Sequence, residues 1–300
     1  MMEEGSGRLR AFLVLGRVSN LPTVWTNCLA GWFLAGGGWG TDFGFLLLGA
    51  SLLYVGGMYW NDAFDAKFDA EHRPRRPIPA GAVSPATVWV GGSLMFAAGI
   101  ALVLGGTAAS PVLVGALAAA ILLYDTVHKK WRGAVLVMGA CRLLLVLMAG
   151  SAAGTTSGAG AAAFGFMGIE VELGRVTLAG LAVFAYVVGI TAVARGESTA
   201  GTVLPWAWVP LAAPVLAWLL MGAGWGGLLF VAMFALWLAR GARLLRGGQR
   251  ARVGRFVGHL LAGIVLVDAM MVSALSPSLA WICVAFLALN LLLQRHIPAT

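Results

Sequence analysis

Charge is what this 300-residue chain has least of. Charged residues make up 11% and hydrophobic residues 60%, with a mean hydropathy of +0.89. A soluble domain carries about 25% charged residues, and no polar stretch here is long enough to form one. Cysteine is also scarce. Cys28, Cys141 and Cys283 all lie in apolar runs without metal-ligand spacing, which excludes a thiolate metal site or a disulfide framework and marks them as small buried hydrophobes. The four histidines, His72, His128, His259 and His296, do not form a metal-spaced set. No strand pattern exists, no glycine-rich phosphate loop follows a strand, and no Ser/His/Asp or Cys/His set can be assembled. The net charge of +8 could suggest nucleic acid, but its distribution along the chain points to a membrane instead.

Apolar runs long enough to span a bilayer, about 20 residues, recur along the whole chain. Ten candidate spans run roughly over 11–36, 43–62, 84–106, 109–127, 133–153, 175–194, 203–222, 225–245, 254–275 and 277–294. The segment Met1–Arg10 leads straight into the first of them with no small-residue cleavage site close behind, so an uncleaved first span is expected rather than a signal peptide. The fold class is therefore an all-α polytopic transmembrane helical bundle of nine to ten spans. If the spans alternate, eighteen of the twenty basic residues fall on one side, Arg175 falls on the other, and Arg142 lies inside a span. That asymmetry predicts cytoplasmic termini. The small-residue segment 150–168 becomes a loop on the outer side with no assigned chemistry.

The acidic residues break the bland pattern. Asn61-Asp62-Ala63-Phe64-Asp65-Ala66-Lys67-Phe68-Asp69 holds three of the twelve, followed by Arg73-Pro74-Arg75-Arg76-Pro77-Ile78-Pro79-Ala80-Gly81. Spacings of three and four put Asp62, Asp65 and Asp69 on one helical face, with Asn61 a turn before Asp65. Within the stretch only Lys67 could offset them, and its spacing points it elsewhere. Such a face repels itself unless a cation sits on it, so removal of one carboxylate is expected to stabilise the metal-free chain. Oxygen-only ligands suit a hard ion such as Mg²⁺, which favours one or two carboxylates plus substrate phosphates. The following arginines suit phosphate oxygens. A solvated acidic helix end followed by a basic loop is the plainer alternative.

Polar residues inside spans are costly and select further candidates. Asn20, Thr23 and Asn27 share a helical face beside Pro22, as a packing feature or as the wall of a polar pocket. Arg142 and Asp268 lie about half-way down spans five and nine. They read as a structural ion pair, or Arg142 faces a cavity and touches substrate. Tyr124 and Asp125 end span four just before Lys129 and Lys130, where topology explains the lysines but not the other two.

Asn61-Asp62-x-x-Asp65-x-x-x-Asp69 with Arg73-Pro74-x-Arg76-Pro77-Ile78-Pro79-x-Gly81 resembles the first aspartate-rich motif of the UbiA superfamily of intramembrane prenyltransferases. Arg17-Val18-Ser19-Asn20-Leu21-Pro22-Thr23-Val24-Trp25-Thr26-Asn27 is similar to its first helix. The resemblance implies one integral-membrane domain over 1–300, with a core of about 11–275 and an extra C-terminal span of about 277–294. It also implies Mg²⁺-dependent transfer of a prenyl group from an isoprenoid diphosphate to an aromatic or other small lipophilic acceptor. The asymmetry of basic residues puts the acidic motif at the cytoplasmic face, of a cell inner or plasma membrane. Asn61, Asp62, Asp65 and Asp69 would hold the metal diphosphate. Arg73 and Arg76 lie in the matching loop, and Lys129 or Lys130 matches a basic position.

The family usually carries a second aspartate-rich motif on its sixth helix. Here Thr191-Ala192-Val193-Ala194-Arg195-Gly196-Glu197 stands in that place. Arg195 is expected to grip the diphosphate in place of a second metal, with Glu197 orienting it or serving as a remnant ligand. That ending, with Tyr124-Asp125-x-x-His128-Lys129 and Cys141-Arg142, is similar to the EboC-like branch. A terpene cyclase, or a lipid or metabolite transport or binding protein that has lost catalysis, is the alternative.

Overall fold

A computed structural model describes residues 2–153, 174–199, 205–222, 224–245 and 250–298, the side chains of 2–6, 196–199 and 250–252 excepted. Of the expected outer loop 150–168, residues from 154 onward lie outside the described residues. The described residues form helices joined by turns, in the order α1 (Met2–Leu15), α2 (Leu21–Leu34), α3 (Thr41–His72), α4 (Pro85–Gly106), α5 (Pro111–Val127), α6 (Ala134–Ala153), α7 (Arg175–Thr199), α8 (Trp208–Leu220), α9 (Leu228–Leu244), α10 (Arg250–Val272) and α11 (Pro277–His296). Seven of the described helical segments are long and apolar enough to cross a membrane, while Pro111–Val127 and Pro205–Leu220 are shorter apolar helices.

The first expected span, 11–36, is not one helix. The α-helix stops at Leu15, a single 3₁₀ turn covers Val18–Asn20, and α2 begins at Leu21. Arg17 takes a left-handed backbone, φ 42° and ψ 45°, which a side chain disfavours. Pro22 then stands in the first turn of α2, where its missing N–H is no loss. In the opposite direction, α3 runs on for 32 residues, or about 48 Å, against a hydrocarbon core of about 30 Å. Its last turns, which carry the acidic motif, therefore extend past the apolar layer.

Small residues set how closely the helices approach, as they do where lipid offers no hydrophobic drive between helices. Gly49 and Gly56 on α3 meet Gly99 and Gly92 on the antiparallel α4. A Cβ on Gly99 would lie 2.8 Å from the Gly49 carbonyl oxygen, and one on Gly56 would lie 2.8 Å from that of Gly92. Helix α2 is buried along most of its length, from Pro22 to Phe33, and touches α3, α6, α7, α10 and α11. Buried Leu260, Ile264, Val267 and Met271 of α10 complete the centre. The last helix belongs to the bundle as well: the fully buried Asn290 donates to the Ser19 carbonyl at 2.9 Å and accepts from Gln294 at 2.8 Å. It thereby ties α11 to the break before α2.

Candidate active site at the charged end of the bundle

The acidic face of α3 meets cations brought from three other segments. Asp62 accepts from Arg76 at 2.9 Å and from Arg17 at 3.3 Å. Arg17 also donates to Asn61 Oδ1 at 3.2 Å, and Asn61 in turn donates to Asp125 on α5 at 2.9 Å. Asp65 takes Lys129 at 2.7 Å and His128 at 3.3 Å. The Lys129 ammonium also lies over the Phe68 ring, 3.7 Å from its centre. The offsetting charges thus come from outside the 61–69 stretch, Arg76 from the basic run that follows it and Arg17, His128 and Lys129 from farther along the chain. Arg17, with its left-handed backbone, reaches from the break after α1 to α3, a strained residue at a site that uses it.

Asp69 and Asp125 differ from the other two. Both are buried, and among the described residues Asp69 Oδ1 and Asp125 Oδ2 have no hydrogen-bond partner. An orphaned buried carboxylate oxygen is costly unless something fills the position. The donor set is all oxygen, which fits a hard cation that needs one or two protein carboxylates. Among the described residues no three acidic, histidine or cysteine side chains converge as a ready-made cage. The fit is therefore to a cation that brings further oxygen ligands with it.

Other expected site residues are placed differently. Arg195 turns to backbone: it donates to the carbonyls of His128 at 2.7 Å and Trp131 at 2.9 Å, and also to that of Arg132. It thus clasps the loop that presents Lys129 to Asp65. The side chain of Glu197 lies outside the described residues. Lys130 and Arg73 are exposed, and Arg73 lines a basic recess of about 400 Å³ with Arg17, Arg75 and Arg76. Of the two lysines, it is Lys129 that reaches the acidic face.

Below the charged mouth lies a cavity of about 220 Å³. Arg17, Asn20, Tyr124 and Asp125 line it at the mouth, Leu53, Ile121, Leu145 and Ile264 are among its apolar walls, and Arg142 lies deeper. The expected Arg142–Asp268 ion pair does not form. Arg142 instead donates to Asn27 Oδ1 at 2.9 Å and to the Thr23 hydroxyl at 3.1 Å. The Asn27 amide, at 2.7 Å, and the Thr26 hydroxyl, at 2.6 Å, donate to Asp268 Oδ2. One asparagine therefore stands between the two charges.

Arg17 and His128 are the members of this site that the sequence reading did not select. Arg17 looked like one more basic residue at a span end. The available signal was its place at the head of the Arg17–Asn27 stretch. His128 stood in the Tyr124–Lys129 stretch without an assigned role, since its contact with Asp65 depends on how α5 packs against α3.

Residues 24–262 match the UbiA prenyltransferase family. Digeranylgeranylglyceryl phosphate synthase of Methanopyrus kandleri is 36% identical over 96 residues, 31% of this chain and 35% of that protein. The enzyme of the same name from Ignicoccus hospitalis is 39% identical over 82 residues, 27% of this chain and 26% of its own. The matched segments thus span about a third or less of these relatives. Two solved structures share the fold. One, from work on structural and mechanistic insights into the biosynthesis of digeranylgeranylglyceryl phosphate synthase in membranes, superposes with a TM-score of 0.59 at 18% identity, over 89% of this chain and 98% of the other. An apo UbiA homologue from Aeropyrum pernix gives 0.58 at 19%, over 86% and 98%. With the family match running through most of the bundle, from the start of α2 well into α10, the chain is an integral membrane protein that belongs to the UbiA prenyltransferase family.

Proposed function

We propose that this protein transfers a prenyl group from an isoprenoid diphosphate to a small lipophilic acceptor, with Mg²⁺. The active site and both termini would face the cytoplasm from an inner or plasma membrane. The observation that carries the reading is continuity: Arg17, Tyr124 and Asp125 line the cavity, and Arg17 and Asp125 also join the network of the acidic face. A prenyl diphosphate has the same two halves, an anionic head and a hydrocarbon tail. The relatives named as digeranylgeranylglyceryl phosphate synthases support an isoprenoid donor and bring a glyceryl phosphate lipid beside an aromatic molecule as acceptor class. Within the family, the Ala194–Glu197 ending supports a place nearest the EboC-like branch.

In the transfer, the bond between the allylic carbon and the diphosphate oxygen breaks and the electron pair leaves with diphosphate. The acceptor's nucleophilic atom supplies the pair for the new bond and gives up a proton, which passes to the released diphosphate. Asn61, Asp62, Asp65 and Asp69 would hold the metal, whose charge offsets that of the leaving group. Arg76, Arg17 and Lys129, already on the acidic face, can turn their donors to phosphate oxygens. Arg195 keeps Lys129 in place by holding its loop. The apolar cavity excludes water from the carbon that develops positive charge, with Asn20 and Arg142 as polar contacts and Asn27 behind Arg142.

Purified protein incubated with labelled geranyl, farnesyl and geranylgeranyl diphosphates, with and without Mg²⁺, is expected to release diphosphate only with the metal. Binding without release would instead indicate a lipid-binding or transport protein that kept the mouth and lost the chemistry.

A further inference from the structure

Deep in the cavity the hydrogen bonds do not balance. Arg142 is 9% exposed and lines the cavity, eight residues into α6 and therefore about 12 Å along the helix from its charged end. A guanidinium carries five N–H donors. Among the described residues two of them are used, by Asn27 and by Thr23. The Tyr54 ring centre lies 5.7 Å from the guanidinium carbon, within reach of a cation–π contact. The remaining donors belong to a buried cation in a cavity whose walls are largely apolar. They mark a place where a ligand supplies an acceptor oxygen.

Charge decides what kind of oxygen. Asp268 is fully buried; its Oδ2 receives both Thr26 and Asn27, the pattern of a carboxylate acting as acceptor, while its Oδ1 has no hydrogen-bond partner among the described residues. Arg142 and Asp268 thus cancel across a single amide. Arg17 and Asp125, the other charged residues lining the cavity, sit at its mouth. An anionic ligand group at Arg142 would leave an uncompensated buried negative charge, at the desolvation cost that such a charge carries. A carbonyl or hydroxyl oxygen would not. From this we infer that Arg142 binds an uncharged oxygen of the acceptor, and that Asp268, acting through Asn27, is the positioning residue that aims the guanidinium and sets the charge its ligand can carry. The word acceptor rests on the proposed transfer reaction. The charge preference does not, and it can be measured with no reaction running.

The test uses the full chain in nanodiscs, without Mg²⁺ or prenyl diphosphate, and two labelled probes of similar size: 4-hydroxyacetophenone, with a neutral carbonyl, and 4-hydroxybenzoate, with a carboxylate. Equilibrium dialysis against empty nanodiscs should show the ketone bound at least tenfold more tightly by the unaltered protein. Asp268→Asn removes the compensating charge and should invert the preference toward the carboxylate, whereas a merely structural role would weaken both probes alike. Arg142→Met combined with Asp268→Asn removes both charges together and leaves no lone buried ion. It should lose at least tenfold in ketone affinity. The unaltered protein and the double variant decide the matter even where the single variant does not fold. A carboxylate preference in the unaltered protein, equal weakening by Asp268→Asn, a double variant that binds the ketone normally, or binding of neither probe overturns the inference. Absence of prenyl diphosphate turnover would count against the proposed reaction and leave these preferences standing.

Discussion

Asp65 on α3 and Lys129 on the loop after α5 meet at 2.7 Å, and the carbonyl just before Lys129, that of His128, is held by Arg195. A carboxylate, its counter-ion and the residue that fixes the counter-ion's loop thus come from α3, the loop after α5 and α7. One consequence concerns the metal-free state. Asp65→Asn should weaken Mg²⁺-dependent binding of a prenyl diphosphate strongly. It should also slightly destabilise the metal-free protein, by roughly the 0.2–1 kcal/mol of a partly exposed ion pair. Thermal unfolding with and without Mg²⁺ reads both effects. A clearly more stable metal-free variant would mean that self-repulsion outweighs the pairing.

Arg195→Ala removes three charge-assisted hydrogen bonds to one loop. A loss of about 1.5–3 kcal/mol is expected for bonds of this kind, seen as faster amide exchange over 128–134 and as weaker diphosphate binding through a misplaced Lys129. Lysine at 195 should recover only part, since an ammonium lacks the planar fork of donors. Unchanged exchange in the alanine variant, with diphosphate binding lost, would return Arg195 to direct contact with the ligand. With no second aspartate-rich motif, one Mg²⁺ per bound diphosphate is expected by titration.

The left-handed backbone of Arg17 allows a comparison of two substitutions. Both Arg17→Ala and Arg17→Gly lose the contacts with Asn61 and Asp62, so both should bind prenyl diphosphate poorly. Only glycine also relieves a conformation that disfavours a side chain by about 1–2 kcal/mol. The glycine variant should therefore unfold at the higher temperature of the two. Equal melting temperatures would place the strain elsewhere.

Gly99 has no room for a larger side chain, with the Gly49 carbonyl oxygen and the Leu53 backbone nitrogen each 2.8 Å from the position of a Cβ. Gly99→Val should cost about 1–3 kcal/mol by overpacking, measured as a lower melting temperature. Gly105→Val, on the same helix where a Cβ meets nothing within 4 Å, is the control and should change little.

The helices were legible because apolar runs repeat with little else between them. Spans such as 84–106 and 133–153 lie within a residue or so of α4 and α6. The break at Gly16–Arg17 was not legible, since Pro22 loosens a helix in a sequence without saying that the chain has turned left-handed five residues earlier. The acidic face was legible from its own spacing of three and four. Its partners were not, because Arg17 and Lys129 lie 45 and 64 positions from the aspartates they meet, on elements whose packing no local pattern fixes. The same limit explains the pairing expected between Arg142 and Asp268. Depth along two spans put them at one level, and only the packing of α2 shows that Asn27 comes between.

If the acidic face holds a prenyl diphosphate for transfer, the two halves of that molecule part there. The most direct measurement follows the prenyl carbons and the diphosphate separately, in proteoliposomes given doubly labelled geranylgeranyl diphosphate. With Mg²⁺, diphosphate should appear in the aqueous phase in step with a prenylated product in the lipid phase, and chelation of the metal or Asp62→Asn should abolish both. Intact donor recovered after saturating binding, or release that ignores both the metal and Asp62, would contradict it.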